Sequence, residues 1–267
     1  MDAKQLNDEG RELWNNKAAF WDDMHGDDGN SFHQTLIGPS VEELLDLQAG
    51  ERVLDIGCGS GVLARRLAEL EGIVTAFDFS EELVKLAQAR GQTSREPIDY
   101  LVVDATDEAA MVALGAGTFD AITCTMTLMD VPVIEPIFRA VNQLLKNDGR
   151  FVYSTAHPAF NSNNPIFVHD KIDVDGVVSD HYAVKLRTYL DMPPVKGSGS
   201  PNEPNPHYYY HRPMHELLGV AFANGLVMDG LLEPAYPPDN ANKSERLDWR
   251  NLWQIPPVIT ARLRKAK

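Results

Sequence analysis

The chain of 267 residues contains no run of about 18 apolar residues, so it offers no helix to span a bilayer. Its opening, Met1-Asp2-Ala3-Lys4-Gln5-Leu6-Asn7-Asp8-Glu9, lacks the apolar core of a secretory signal. Cysteine is scarce: Cys58 and Cys124 are the two, each in or beside an apolar strand-like segment. That is too few for a disulfide framework or a cysteine metal site, and they read as reduced, buried thiols of a cytoplasmic protein. Positive charge is also scarce. Lys and Arg number 24 against 39 Asp and Glu, a net charge of −15, and the densest basic stretch is Arg262-Leu263-Arg264-Lys265. Enzymes of nucleic acids carry a basic face that displaces counterions. The balance here disfavours nucleic acid and membrane surfaces and favours a small-molecule substrate.

What is present is an ordinary globular composition, 43% hydrophobic, arranged as alternating strands and helices. Apolar segments at 52–56, 73–77, 98–103, 119–124 and 150–155 read as strands. Amphipathic segments at 60–71, 80–90, 107–114 and 133–146 read as helices between them. Such repetition implies a parallel sheet covered on both faces. Before it, Trp14, Ala18 and Trp21 have helical spacing, 24–33 reads as a loop, and Ser40-Val41-Glu42-Glu43 has capping-box spacing for a helix ending near Gly50. After it, periodicity is lost over 157–211, which holds Pro158, Pro165, Pro193, Pro194, Pro201, Pro204 and Pro206. A stretch that long without repeating elements is expected to be a cap, with short strands near 166–172 and 182–190. A helix at 213–224 and strands at 226–233 and 258–264 complete the sheet, the last with the alternation of an antiparallel strand. The expected organisation is an N-terminal helical lid (1–40), a core (41–156), a cap insertion (157–211) and a return to the core sheet (212–267).

The most specific feature is Val53-Leu54-Asp55-Ile56-Gly57-Cys58-Gly59-Ser60-Gly61. A buried strand enters a glycine turn, and a helix opens behind it. Glycine permits positive φ and bare backbone against a ligand, while the helix start offers unpaired N–H groups. A dinucleotide fingerprint would continue Gly-x-Gly-x-x-Gly. Here the glycines are Gly57, Gly59 and Gly61, and Val62 stands where the third would fall.

With Asp55 inside the strand and Asp78 ending the next, this string resembles the first motif of the class I S-adenosylmethionine (SAM) dependent methyltransferases. Ser154-Thr155-Ala156-His157-Pro158, Tyr208-Tyr209-Tyr210-His211-Arg212-Pro213 and Leu232-Glu233-Pro234 resemble later segments of small-molecule enzymes of that group. The resemblance implies a Rossmann-like, doubly wound α/β fold with seven strands, the last antiparallel, and SAM as methyl donor. It assigns Asp78 to the ribose hydroxyls and Phe79 to the adenine face. Asp104 and Ala105 fall to the adenine amino group, and Asp55 to ordering the glycine loop. Gly57, Cys58, Gly59 and Gly61 fall to the ribose and methionine parts, and Thr125 and Met126 to the methionine end.

Methyl transfer from SAM needs alignment first and a base only where the acceptor must lose a proton. His157, His33 and Asp130 are the base candidates, in that order; a structural, backbone-bonded His157 is the alternative. Trp21, Phe32, Tyr209, His211 and Arg212 are expected to line the acceptor pocket. His207, His211 and His215 are spaced by four, but Pro213 interrupts any helix that would present them together, so no metal is expected. The expected partner is a small-molecule acceptor of an O- or N-methyl group, with the protein a monomer or homodimer. A methyltransferase of tRNA or protein, or a non-catalytic SAM- or nucleotide-binding protein, stays open as the alternative.

Overall fold

The computed structural model describes residues 1–91, 97–162, 165–240 and 247–267. The expected bounds of the core, cap and returning sheet each include a few residues outside that set. The chain begins with α1 (Ala3–His25), capped by Asp2: its carboxylate accepts from the Gln5 N–H at 2.9 Å, and the Gln5 side chain returns a bond to the Asp2 N–H. This helix runs well past Trp21 and takes in part of the expected loop. A π-helical turn (His33–Ile37) then leads into α2 (Gly38–Leu45). The expected capping box at Ser40 does not form. The chain is already helical there, and the Ser40 hydroxyl instead bonds back to the Leu36 carbonyl at 2.7 Å and meets Thr260.

The alternating elements follow: β1 (Arg52–Ile56), α3 (Val62–Glu69), β2 (Ile73–Asp78), α4 (Glu81–Gly91), β3 (Asp99–Val102), α5 (Glu108–Val112), β4 (Phe119–Thr125), α6 (Glu135–Leu144) and β5 (Leu145–Ala156). Then come β6 (Ile166–Val174), β7 (Val177–Lys185), β8 (Val195–Gly197), β9 (His207–Tyr209), α7 (Met214–Ala223), β10 (Leu226–Leu232) and β11 (Val258–Lys265). Seven strands form the main sheet in the order β10-β11-β5-β4-β1-β2-β3. β1, β2, β3, β4 and β5 run parallel to one another, and β11 is antiparallel to both β5 and β10. Two apolar layers cover the faces. Phe77, Phe119, Phe138, Phe151 and Tyr153 pack on one side, and Val41, Leu45, Val53, Leu67 and Val84 on the other. Among the described residues, no helix is long and apolar enough to cross a membrane.

The segment 157–211 holds a β6–β7 hairpin and a small β8–β9 ribbon. The hairpin's second strand lies at 177–185, earlier than expected, because Asp175-Gly176 makes a two-residue turn with both φ positive, at 53° and 81°. Asp-Gly is the residue pair such a turn favours, and it was there to be read.

Order reverses between β1 and β4, which places a crevice beyond their carboxyl ends. The glycine turn sits at that crevice. The Gly57 and Cys58 N–H groups both donate to the Phe77 carbonyl, at 2.8 and 2.9 Å, tying the turn to β2. Gly57 (φ 69°) is packed so closely that a Cβ would lie 2.3 Å from the Thr127 hydroxyl oxygen, whereas a Cβ on Gly59 (φ 55°) would meet nothing within 4 Å. Gly57→Ala is therefore expected to lower the melting temperature clearly more than Gly59→Ala, whose conformational cost alone is about 1–2 kcal/mol. Equal destabilisation of the two by thermal denaturation would contradict this packing.

Candidate active site

A cavity of about 700 Å³ opens at the reversal of strand order, between the sheet, α1 and the 157–211 segment. Of the residues singled out from the sequence, it is lined by Trp21, Phe32, His33, Gly57, Cys58, Gly59, Asp78, Phe79, Asp104, Ala105, Thr125, Met126, Asp130, Tyr209, His211 and Arg212. Asp55, Gly61 and His157 do not reach the cavity lining. Asp55 lies beneath the glycine turn, accepting from the Thr123 hydroxyl at 2.8 Å, and burial pushes its carboxyl up to about 7. Gly61 (φ 83°) is the cap residue of α3, and a Cβ there would strike the Tyr100 hydroxyl.

The first choice of base is corrected by the geometry. The His157 side chain is buried with both ring nitrogens engaged: Nε2 lies 2.8 Å from Glu233 Oε1, and Nδ1 accepts from the Ala159 N–H at 3.1 Å. Its own N–H donates to the Pro257 carbonyl. It is a structural histidine that fixes the start of the insertion against β10 and β11. The His-Pro pair at a strand end carries no information on which way the ring turns, so the sequence left both roles open.

Asp78 ends β2 and is buried. Its Oδ2 accepts from the Gly59 N–H at 3.0 Å and its Oδ1 from the Ser80 N–H at 2.9 Å. Burial raises this carboxyl to about 6, against those backbone bonds. Met126, just past β4, adopts φ 51° while its N–H donates to the Ser154 carbonyl at 2.7 Å. A non-glycine residue held there is strained, and such strain gathers at sites where the backbone must approach a ligand.

Asp104 is less available than the motif implies. Its Oδ2 takes Asn7 at 2.6 Å and also Arg11, and its Oδ1 takes the Thr106 N–H at 2.8 Å and hydroxyl at 2.7 Å. With four bonds a carboxylate is saturated, so in this arrangement Asp104 anchors α1 and has no lone pair left for an adenine amino group. Arg212 is also largely spent. Its guanidinium donates to the carbonyls of Leu128 (2.9 Å), Tyr210 (3.3 Å) and Val131 (2.6 Å), and burial lowers it to about 10. His211 Nε2 meets the Tyr189 carbonyl at 2.5 Å. Both tie the end of the insertion to its neighbours.

The far end of the cavity holds residues that sequence patterns did not single out as a site. Lys17 from α1 and Glu203 from the insertion form an ion pair at 2.6 Å with both side chains fully buried. The Trp14 ring covers the ammonium at 3.8 Å, and the Trp21 indole N–H donates to Glu203 at 3.1 Å. Although burial opposes it, the bonds of its partners hold the Glu203 carboxyl at about 2. His207 packs against Glu203, Trp14 and Tyr209, and turns Nε2 toward Asp130 Oδ1 at 3.7 Å. That oxygen is buried and has no hydrogen-bond partner among the described residues. Burial raises Asp130 to about 7; His207 and Lys17 act against this, and Glu203 and Asp78 reinforce it. His25 and His33 also line the cavity, both held in the neutral form by burial, His25 at about 4. Of the three histidines spaced by four, His207 is in β9 and His215 is an exposed residue of α7. Among the described residues, no group of three or more His, Cys, Asp or Glu is placed to hold a metal ion.

Residues 54–153 match the family model described as a methyltransferase domain. Ubiquinone biosynthesis O-methyltransferases are relatives of this chain by sequence. The one from Xanthomonas oryzae is 45% identical over 115 residues, 43% of this chain and 46% of that protein. The one from Chromobacterium violaceum is 41% identical over 107 residues, 40% of this chain and 45% of that protein. The matched region thus spans less than half the length of these relatives. By fold, the chain is similar to a SAM-dependent methyltransferase from Mesorhizobium loti, with TM-score 0.67, 22% identity, and 85% and 96% of the two chains covered. Magnesium protoporphyrin IX methyltransferase from Synechocystis PCC 6803, solved with bound SAM, superposes with TM-score 0.56 at 16% identity, over 100% and 98% of the chains. The structural matches agree with the seven-stranded sheet already described.

A buried ion pair joining lid to insertion makes its partners interdependent. Lys17→Met alone strands a buried carboxylate and is expected to cost about 3–5 kcal/mol, with much of that recovered in Lys17→Met/Glu203→Leu. Chemical denaturation of the single and double variants measures it. Additive losses would mean that the pair does not hold the lid.

Proposed function

We propose that this protein transfers the methyl group of SAM to a small-molecule acceptor, at oxygen or nitrogen, by in-line displacement. The observation that carries the reading is the joining of two unlike ends in one cavity. One end is the bare glycine turn with Asp78 beside it. The other is an aromatic chamber around the partnerless carboxylate oxygen of Asp130. The first end fits SAM. The open face at Gly59 admits a ligand against backbone, the Ser60 hydroxyl lacks a partner among the described residues, and Asp78 stands beside both.

In this reading Asp78 accepts from the ribose hydroxyls and Phe79 and Ala105 flank the adenine. Gly57, Cys58 and Gly59 border the ribose and methionine parts, while Thr125 and Met126 back the methionine end. Asp55 and Gly61 act from beneath, by holding the turn. When bound, SAM supplies a methyl group on sulfonium with a neutral thioether as leaving group. The chain's own contribution is alignment and exclusion of water, and holding nucleophile and methyl in line supplies about 7–11 kcal/mol. The lid α1 and the insertion close over the cavity to that end. Asp130 takes the proton released by the acceptor; His33, neutral and in the lining, is the second candidate. Trp21, Phe32 and Tyr209 form acceptor walls, with His211 and Arg212 shaping the pocket through their carbonyl bonds.

Calorimetric titration with SAM and with S-adenosylhomocysteine tests the donor. Micromolar binding of both is expected, weakened by about 1–3 kcal/mol in Asp78→Ala through loss of charge-assisted hydrogen bonds. Absence of binding in the folded protein overturns the reading, and unchanged affinity in the variant overturns the ribose assignment.

The pH dependence follows from Asp130. The ionised carboxylate is the form that accepts a proton, and its raised value near 7 means that this form is depleted below neutrality. The rate at limiting substrates, which reports the ligand-free protein, is therefore expected to rise through about pH 7 and level off above it. In Asp130→Asn the limb should disappear together with most of the rate. A limb that persists in that variant assigns the base elsewhere.

A further inference from the structure

His207 Nε2 and Asp130 Oδ1 face one another across 3.7 Å, and both residues line the cavity. The separation is too long for a direct hydrogen bond and short enough for one oxygen atom to bond to both. Behind the ring, His207 Nδ1 meets both the Lys17 Nζ and Glu203 Oε1, the latter at 3.0 Å. An ammonium has donors and no acceptor, so a bond from Lys17 to Nδ1 requires the ring proton on Nε2, facing the gap, whereas a bond from Nδ1 to Glu203 requires the other tautomer. Lys17 itself is sealed by Glu203 and Trp14 and offers nothing to a ligand.

Resting on the methyltransferase reading, we propose that this gap docks a hydroxyl group. The acceptor oxygen receives a hydrogen bond from His207 Nε2–H and presents its own proton to Asp130 Oδ1. The acceptor class is thereby a neutral alcohol or phenol, and the methyl group goes to oxygen. A hydroxyl both accepts and donates, as the gap requires; an aliphatic amine, protonated near neutrality, then has no lone pair for the Nε2–H. On transfer, the O–H bond breaks and its proton passes to Asp130. The oxygen's free lone pair forms the O–CH₃ bond, and the S–CH₃ bonding pair returns to sulfur. The other groups facing Asp130 are Lys17 from α1, Glu203 from the insertion, Tyr209 and Tyr210 at β9, and Asp78 from β2. Of these, Lys17 acts as a positioning residue by setting the His207 tautomer.

The test uses the full chain without cofactor, so that it stands apart from the SAM titration. Nuclear magnetic resonance of ¹⁵N-histidine and ¹³C-aspartate labelled protein reads the His207 tautomer and the Asp130 titration, with His207→Gln and Asp130→Asn giving the assignments. The Nε2–H tautomer is expected. Loss of that donor in His207→Phe should move the Asp130 midpoint up by at least about half a pH unit. His207→Gln, whose amide keeps a donor at the same reach, should restore most of it. Phenol, as a probe, should perturb both the His207 Nε2 and the Asp130 carboxyl signals, and benzylamine should not perturb the pair. An Nδ1–H tautomer, an Asp130 midpoint indifferent to His207→Phe, joint perturbation by benzylamine, or none by phenol would each overturn the proposal. None of these outcomes depends on whether SAM binds.

Discussion

The cavity exists because a buried charge pair joins two segments far apart in sequence. Lys17 and Glu203 meet at 2.6 Å with no solvent on either side chain. Removing two charges from water is expensive, and their attraction repays it only with good geometry and further hydrogen bonds. Those bonds are present: Trp21 and the Gly199 N–H reach Glu203, Trp14 covers the ammonium, and His207 sits against both. The lid is further held to the core by Arg90 on Asp22 at 2.6 Å and by Asn7 on Asp104. Lid, insertion and sheet thus bound one space, and a change at the ion pair is felt at Asp130 through His207.

A second constraint acts on charge. Asp78 and Asp130 line the crevice and Asp55 lies beneath its glycine turn, and burial raises Asp55, Asp78 and Asp130 to about 7, 6 and 7. Carboxyls disfavoured as anions by burial are stabilised as anions by a nearby cationic ligand. The sulfonium of SAM is such a ligand, so the electrostatics and the glycine turn favour the same donor. Lys17, the cation near Asp130, is paired with Glu203 and does not compete.

The match of sequence to structure is uneven, and the reasons are physical. The parallel strands were legible because burial on both faces demands continuous apolar runs. The glycine turn was legible because positive φ at Gly57, Gly59 and Gly61 restricts residue choice. Helix starts were less so: the entry to α2 uses a π-helical turn at His33–Ile37, which has no composition of its own. At the site, Asp78, Phe79 and Met126 fall where the motif suggested. Asp104 falls there too, but its bonds are claimed by α1, and His157 is turned away into a pair with Glu233. A sequence does not show which partner a side chain has already taken.

The sequence by itself determined the sheet, the turn and the class of donor, because these depend on local rules: strand periodicity, glycine conformation and a carboxylate at a strand end. Tertiary structure decided how the acceptor end is assembled. Asp130 was a candidate from the sequence, but Lys17, Glu203 and His207, which surround it, come from α1 and the insertion, and none is unusual in its local context. Their chemistry arises from the low dielectric and short distances created when lid and insertion close over the sheet, where an ordinary aspartate becomes a group that titrates near neutrality.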